Sequence, residues 1–117
     1  MVKAAIIVLA GTDSHADLGR AVNALQAAKE FSQAGDDVEL LFDGAGTEWI
    51  GELEDPDHDA HALYREVAEE AQACDHCVSA FDQDDPVAES DVERVESFHG
   101  HPSVRELVAD GYEVVTY

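Results

Sequence analysis

The stretch Lys3-Ala4-Ala5-Ile6-Ile7-Val8-Leu9 is a continuous apolar run of strand length, the form a strand takes when its sheet is covered on both faces. A polar loop, Gly11-Thr12-Asp13-Ser14-His15-Ala16, follows it. From Asp17 onward Leu18, Val22, Leu25 and Ala28 recur at helical spacing, with Ala21 and Ala24 beside them, and Gly35 supplies the stop. Val38-Glu39-Leu40-Leu41-Phe42 is then a second strand, and Asp43-Gly44-Ala45-Gly46-Thr47 turns away from its end. Strand, helix and strand at this separation give a right-handed parallel βαβ unit.

The alternation continues to the end of the chain, with no internal repeat. Thr47 to Leu53 reads as a short helix and Glu54-Asp55-Pro56-Asp57-His58-Asp59 as a surface loop. Leu63, Val67 and Ala71, flanked by Tyr64 and Ala68, mark a helix from about Ala60 to Ala71. A short third strand falls between Ala71 and Cys74, and Val78 to Phe81 opens another helical turn. Asp82 to Asp91 is loop or short helix, and a weak strand lies around Val92 to Phe98. Pro102 suits the first position of a helix running to Asp110, Gly111 closes it, and Tyr112-Glu113-Val114-Val115-Thr116-Tyr117 is the last strand. The sum is a single domain over residues 1–117, a three-layer α/β sandwich with a mostly parallel five-stranded sheet. Ligands of such sheets bind outside the carboxyl ends of the strands. Four segments share that rim: Gly11 to Ala16, Asp43 to Thr47, Cys74 to Cys77, and His99 to Ser103.

At 117 residues the chain buries one core without disulfide staples. No run is long enough to span a membrane. The apolar start, Met1 to Leu9, is too short and lacks the small-residue cleavage site of a signal peptide, so a cytoplasmic protein is expected. Against 27 Asp and Glu stand only 6 Lys and Arg, a formal net charge of -21. That excess repels nucleic-acid phosphate and anionic membranes, which removes both from the expected partners. The chain is nevertheless not of disordered composition, because 45% of its residues are hydrophobic and the acids punctuate periodic segments. At molar salt the Debye length falls to about 3 Å and such a surface no longer repels itself. The acidity is therefore read as the solvation of a halophilic protein rather than as a docking surface.

Cys74 and Cys77 are the only cysteines, in the order Ala73-Cys74-Asp75-His76-Cys77-Val78. A Cys-x-x-Cys pair can share a disulfide, pass sulfur between thiols, or supply half of a zinc site, and two thiols that merely pack in the core are the plain alternative. Placed at a helix start, the thiols gain backbone N–H donors and partial positive charge, which favour the thiolate. His76 is a candidate proton acceptor or cationic neighbour, while Asp75 opposes the anion and suits an N-cap. With Cys74 as carrier of an outer sulfur, Cys77 displaces it by closing a disulfide, or protects the thiol from over-oxidation.

Several stretches resemble one family. A strand ending in Cys74, the Cys74-x-x-Cys77 pair opening a helix, Ala24-Leu25, the Gly35-x-x-Val38-Glu39-Leu40-Leu41-Phe42-x-Gly44 stretch and the terminal Leu107-x-x-x-Gly111-Tyr112-Glu113-Val114 look like the DsrE/DsrF-like small sulfur-relay proteins. The resemblance covers nearly the whole chain and implies a flavodoxin-like, DsrE-like sandwich and a homo-oligomer, trimer or hexamer. It also implies a persulfide carried on the cysteine after the third strand, which maps onto Cys74, with Cys77 as the extra thiol. Where an arginine-glycine pair often follows the cysteine helix, this chain has Phe81-Asp82. The expected function is that of a small sulfur carrier or thiol-dependent sulfurtransferase with catalytic Cys74, Cys77 and His76 and no cofactor; its donor and acceptor proteins are not named by the sequence.

The rival is a binding or assembly domain in which Cys74, Cys77, His99 and His101 hold zinc, a ligand set zinc accepts. The gap from Cys77 to His99 exceeds that of a short zinc finger, and His101 also suits capping the helix at Pro102. His58 and His61, among Asp55, Asp57 and Asp59, read as solvated surface. Gly44-Ala45-Gly46 lacks the third glycine of a dinucleotide fingerprint and the lysine of a P-loop, and so reads as turn chemistry. Thr12-Asp13-Ser14-His15 is a polar rim loop without a nucleophile elbow. Trp49 and Ile50 are candidates for a subunit contact or a core plug.

Overall fold

The computed structural model describes residues 1–117. Five strands, β1 (Lys3–Val8), β2 (Asp37–Phe42), β3 (Ala71–Cys74), β4 (Glu93–Val95) and β5 (Glu113–Thr116), form one sheet in the order β4-β3-β2-β1-β5, every pair parallel. The helices are α1 (His15–Gln33), α2 (Glu48–Glu54), α3 (His61–Val67), α4 (Asp75–Ala80), α5 (Asp84–Glu89) and α6 (Val104–Ala109). The expected α/β sandwich is present, and its sheet is wholly parallel. No helix is long and apolar enough to cross a membrane.

Strand order dictates the layers. From β1 to β4 the chain steps in one direction, and right-handed crossovers put α1 to α5 on one face. The return from β4 to β5 runs the opposite way and puts α6 on the other face. Side-chain alternation shows the two faces separately. Ala4, Ile6, Val8, Leu40, Phe42 and Ala73 join the main core with Leu25, Ile50, Tyr64, Val67, Val78 and Val87. Ala5, Ile7, Leu41 and Cys74, at the intervening positions, are also buried but stand outside that cluster, under the thin layer made by α6 and the loop before it. A cavity of about 280 Å³ remains between this face and α6, bordered by Lys3, Glu39, Leu41, Gln72, Val95 and Leu107.

Local sequence explains the first unit. Ser14 caps α1, its Oγ accepting from the Asp17 N–H at 3.1 Å. Ala21, Ala24, Leu25 and Ala28 are buried, and three alanines among them let the helix lie close to β1 and β2. Leu18 and Val22, on the same stripe, are only half-buried at its margin. Full burial of a side chain such as Leu25 or Phe42 contributes about 1.5–3 kcal/mol. Gly35 ends the helix at φ +82°.

Four expectations need correction. α3 stops at Val67, because Ala68–Glu70 tighten into a 3₁₀ turn that delivers Ala71 to the sheet. α4 begins at Asp75, directly after β3, with Cys74 itself in the N-cap position; Asp75 is not the cap, its carboxylate being held by Arg94 Nε at 2.7 Å. α6 begins at Val104 and not Pro102, and its cap is Ser103 Oγ, which accepts from the Glu106 N–H at 3.2 Å, so His101 caps nothing. His58 and His61 are half-buried fasteners rather than solvated surface: His58 Nδ1 accepts from the Ala60 N–H at 3.0 Å, and His61 Nδ1 lies 2.7 Å from Leu53 O. Trp49 is a core plug, 2% exposed, with its indole N–H donated to Ala10 O at 2.8 Å. Gly46 is demanded by close approach, since a Cβ there would sit 1.9 Å from Val8 O.

Candidate functional site

Three of the four rim segments converge on the cysteines. β3 ends at Cys74 and α4 carries Cys77 one helical turn on, so the two thiols face the same corner. From the other side comes a tight hairpin in which Phe98 and His101 exchange backbone hydrogen bonds, 2.8 Å from the Phe98 N–H and 2.9 Å from the His101 N–H. His99 at φ +51° and Gly100 at φ +84° occupy the two central positions, the signature of a type I′ turn. The turn is fastened to α4 by the His76 N–H donating to Gly100 O at 2.8 Å.

This turn selects which histidine reaches the thiols. His101 Nδ1 lies 3.4 Å from Cys74 Sγ, and the donor atoms of Cys74, Cys77 and His101 all fall within 4.8 Å of one another. His99, on the turn's apex, instead packs its ring edge-on against Phe98 at 4.6 Å and is outside the group. His76 is exposed and lies against the His101 ring, centroids 4.7 Å apart. It thus supports His101 from outside. Asp43, at the end of β2, completes the cluster: its carboxylate accepts from the Gly44 N–H at 2.9 Å and from the Cys77 thiol at 3.5 Å. Asp43 was legible only as a turn residue; its strand-end position on the rim was the available signal.

The two thiols differ. Cys74 is fully buried, while Cys77 is half-buried. Burial pushes the Cys74 thiol up to about 12; the Cys77 backbone amide offsets part of this, and the Cys77 thiol and Asp43 carboxylate add to it. This environment favours the neutral thiol of Cys74 over its thiolate. Arg94 sets the angle of α4: it bonds Asp75 Oδ1, Asp84 Oδ1 at 3.0 Å, and both Asp75 O and Ser79 Oγ at 3.1 Å. One edge strand thereby grips the helix that bears Cys77.

The fourth rim segment goes elsewhere. The Gly11 to Ala16 loop is tied toward α2 by the Trp49 bond to Ala10 O. A surface cavity of about 590 Å³ is lined by Glu48, Glu52, Glu54 and Glu89 and holds neither thiol nor imidazole.

No protein-family profile matches the chain. It is similar to the uncharacterized protein MJ0733 of Methanocaldococcus jannaschii, 22% identical over 88 residues that make up 75% of this chain and 72% of that one. Among solved structures it is similar to a conserved protein of unknown function, BT1422 from Bacteroides thetaiotaomicron. The TM-score is 0.60 at 13% identity, across 97% of this chain and 94% of that one, a likeness of fold.

Proposed function

We propose that the protein carries sulfane sulfur on its cysteine pair, as a small sulfur carrier or sulfurtransferase of DsrE-like type. The observation that carries this reading is two free thiols and an imidazole within 4.8 Å of one another at the ligand-binding rim of a parallel sheet. Exposure assigns the roles. Cys77, the accessible thiol, is the entry point: its thiolate attacks the outer sulfur of a donor persulfide, the donor's S–S bond breaks, and the donor leaves as a thiolate. An acceptor thiolate then takes the outer sulfur from Cys77. Alternatively Cys74 passes its proton to His101 Nδ1 and attacks the inner sulfur, which forms the Cys74–Cys77 disulfide and expels hydrosulfide; a small-molecule or protein dithiol restores the pair. Burial makes Cys74 the second, resolving thiol, which reverses the order the family resemblance implies.

The same reading places the protein in the cytoplasm of a salt-adapted cell, as a homotrimer or hexamer. Val104 and Val108, exposed on one side of α6, are the apolar residues offered for self-association. Intact-mass spectrometry at high salt, before and after a sulfane-sulfur donor, tests the chemistry. A reductant-sensitive gain of one sulfur that survives Cys74→Ser and disappears in Cys77→Ser is expected; no gain in the wild-type chain refutes the reading.

A further inference from the structure

We propose that Cys74, Cys77 and His101 form a zinc site with three protein ligands and an open fourth position. Zinc bonds sulfur at about 2.3 Å and imidazole nitrogen at about 2.0–2.1 Å, so a tetrahedral ion fixes a sulfur–nitrogen edge of roughly 3.5 Å and a sulfur–sulfur edge of roughly 3.8 Å. Cys74 Sγ and His101 Nδ1 stand 3.4 Å apart, at that edge, and the third donor falls within 4.8 Å of both. The fold brings the donors together before any ion arrives. Two sit one helical turn apart at the β3–α4 junction, and the third is held by the Phe98 to His101 turn, itself bonded to α4. Two thiols and an imidazole select a soft or borderline ion, unlike the hard carboxylates that crowd the rest of this surface.

Asp43 does not belong to the group of three, but its carboxylate is 3.5 Å from Cys77 Sγ. There it serves as an outer partner for whatever fills the open position, water or an incoming thiol. A site with three protein donors and one vacancy is of the catalytic rather than the closed structural type. The inference rests on donor geometry and stands independently of sulfur transfer. It also gives that chemistry a control: zinc and sulfane sulfur claim the same two thiols, so each excludes the other.

The test uses the full chain, reduced, at molar salt, titrated anaerobically with Co²⁺ and then with Zn²⁺. One equivalent of Co²⁺ with thiolate charge-transfer absorption and tetrahedral visible bands is expected, displaced by one equivalent of Zn²⁺. His101→Gln should weaken Zn²⁺ by at least the roughly 10–100-fold that losing an outer partner costs. His99→Gln should leave it unchanged, and Cys77→Ser should remove most of the charge-transfer band; circular dichroism checks that each variant folds. Absent charge-transfer absorption, or binding unaffected by Cys77→Ser and His101→Gln, assigns the metal to surface carboxylates and overturns the site. Sulfur loading of the chelated protein is read in parallel, so that loading without stoichiometric metal defeats this inference alone, and metal without loading defeats the sulfur-carrier reading alone.

Discussion

Replacing Gly100 by alanine tests whether one turn conformation assembles the cysteine–histidine cluster. At φ +84° an L-residue suffers a left-handed penalty of about 1–2 kcal/mol, from the clash of Cβ with the following carbonyl oxygen. Steric crowding adds almost nothing, because the nearest atom to the new Cβ would be His76 Cβ at 3.6 Å, an ordinary contact. The backbone term therefore decides the outcome. For a domain of this size a loss of 1–2 kcal/mol lowers the melting temperature by roughly 4–8 °C. Thermal and urea unfolding at fixed molar salt measure it, with an unchanged urea slope showing that only stability has moved. Asparagine tolerates positive φ, so Gly100→Asn should cost clearly less than Gly100→Ala. Equal costs for the two variants, or an alanine cost within error of zero, would refute the account of the turn. The same variant should weaken Co²⁺ binding while leaving Cys77 alkylation intact, since the turn positions His101 and not Cys77.

Two other glycines should behave oppositely: Gly46→Ala forces a Cβ to 1.9 Å from the Val8 carbonyl and should cost at least the roughly 1–3 kcal/mol of an overpacked site, whereas Gly19→Ala, in α1 with no atom within 4 Å, should stabilise by about 0.5–1 kcal/mol, both read by urea unfolding. Arg94→Gln should destabilise by about 1 kcal/mol, because its ion pairs with Asp75 and Asp84 are partly solvated, and the loss should shrink as salt rises from moderate to molar; a loss that grows with salt contradicts the assignment. Tyr64 is held above the ordinary tyrosine range, first by burial and then by the Glu54 carboxylate. Its neutral form is favoured in the fold, so this contribution is complete below about pH 10, where the unfolded tyrosine titrates, and is lost as pH rises beyond it. Tyr64→Phe should flatten the alkaline limb of a stability–pH profile, and an unaltered limb would exclude Tyr64 as its source.

β1, α1 and β2 were legible because each carries its signal within its own residues: an unbroken apolar strand, an alanine-lined stripe, and a second apolar strand after Gly35. β4 was blurred because only Glu93, Arg94 and Val95 pair, at a sheet edge that needs little apolar sequence. The Cys74-x-x-Cys77 pair marks a helix opening at the thiols but not its first residue or its cap, because the chain passes from strand to helix without a loop and leaves no turn residues to mark them. The rim placement of both cysteines followed from strand alternation alone. The choice among His76, His99 and His101 did not, because it depends on a two-residue turn that throws neighbouring side chains in different directions. His99-Gly100 carried that information as a positive-φ pair, in the way Asn-Gly does in ordinary hairpins.

Unequal layering gives the molecule two regimes of breathing. α1 is anchored by four buried residues, whereas α6 buries none, and opening free energies track such differences from near zero up to the global value. The amides of α6 and of the preceding turn should therefore exchange with solvent through local fluctuations long before those of β1 and β2. His101 travels with that turn and Gly100 lies over Cys74, so each fluctuation both uncovers the inner sulfur and carries the imidazole away from it. Reactivity of Cys74 is then governed by how often the thin side of the sandwich lifts, and a reagent that traps the open form would read that frequency directly.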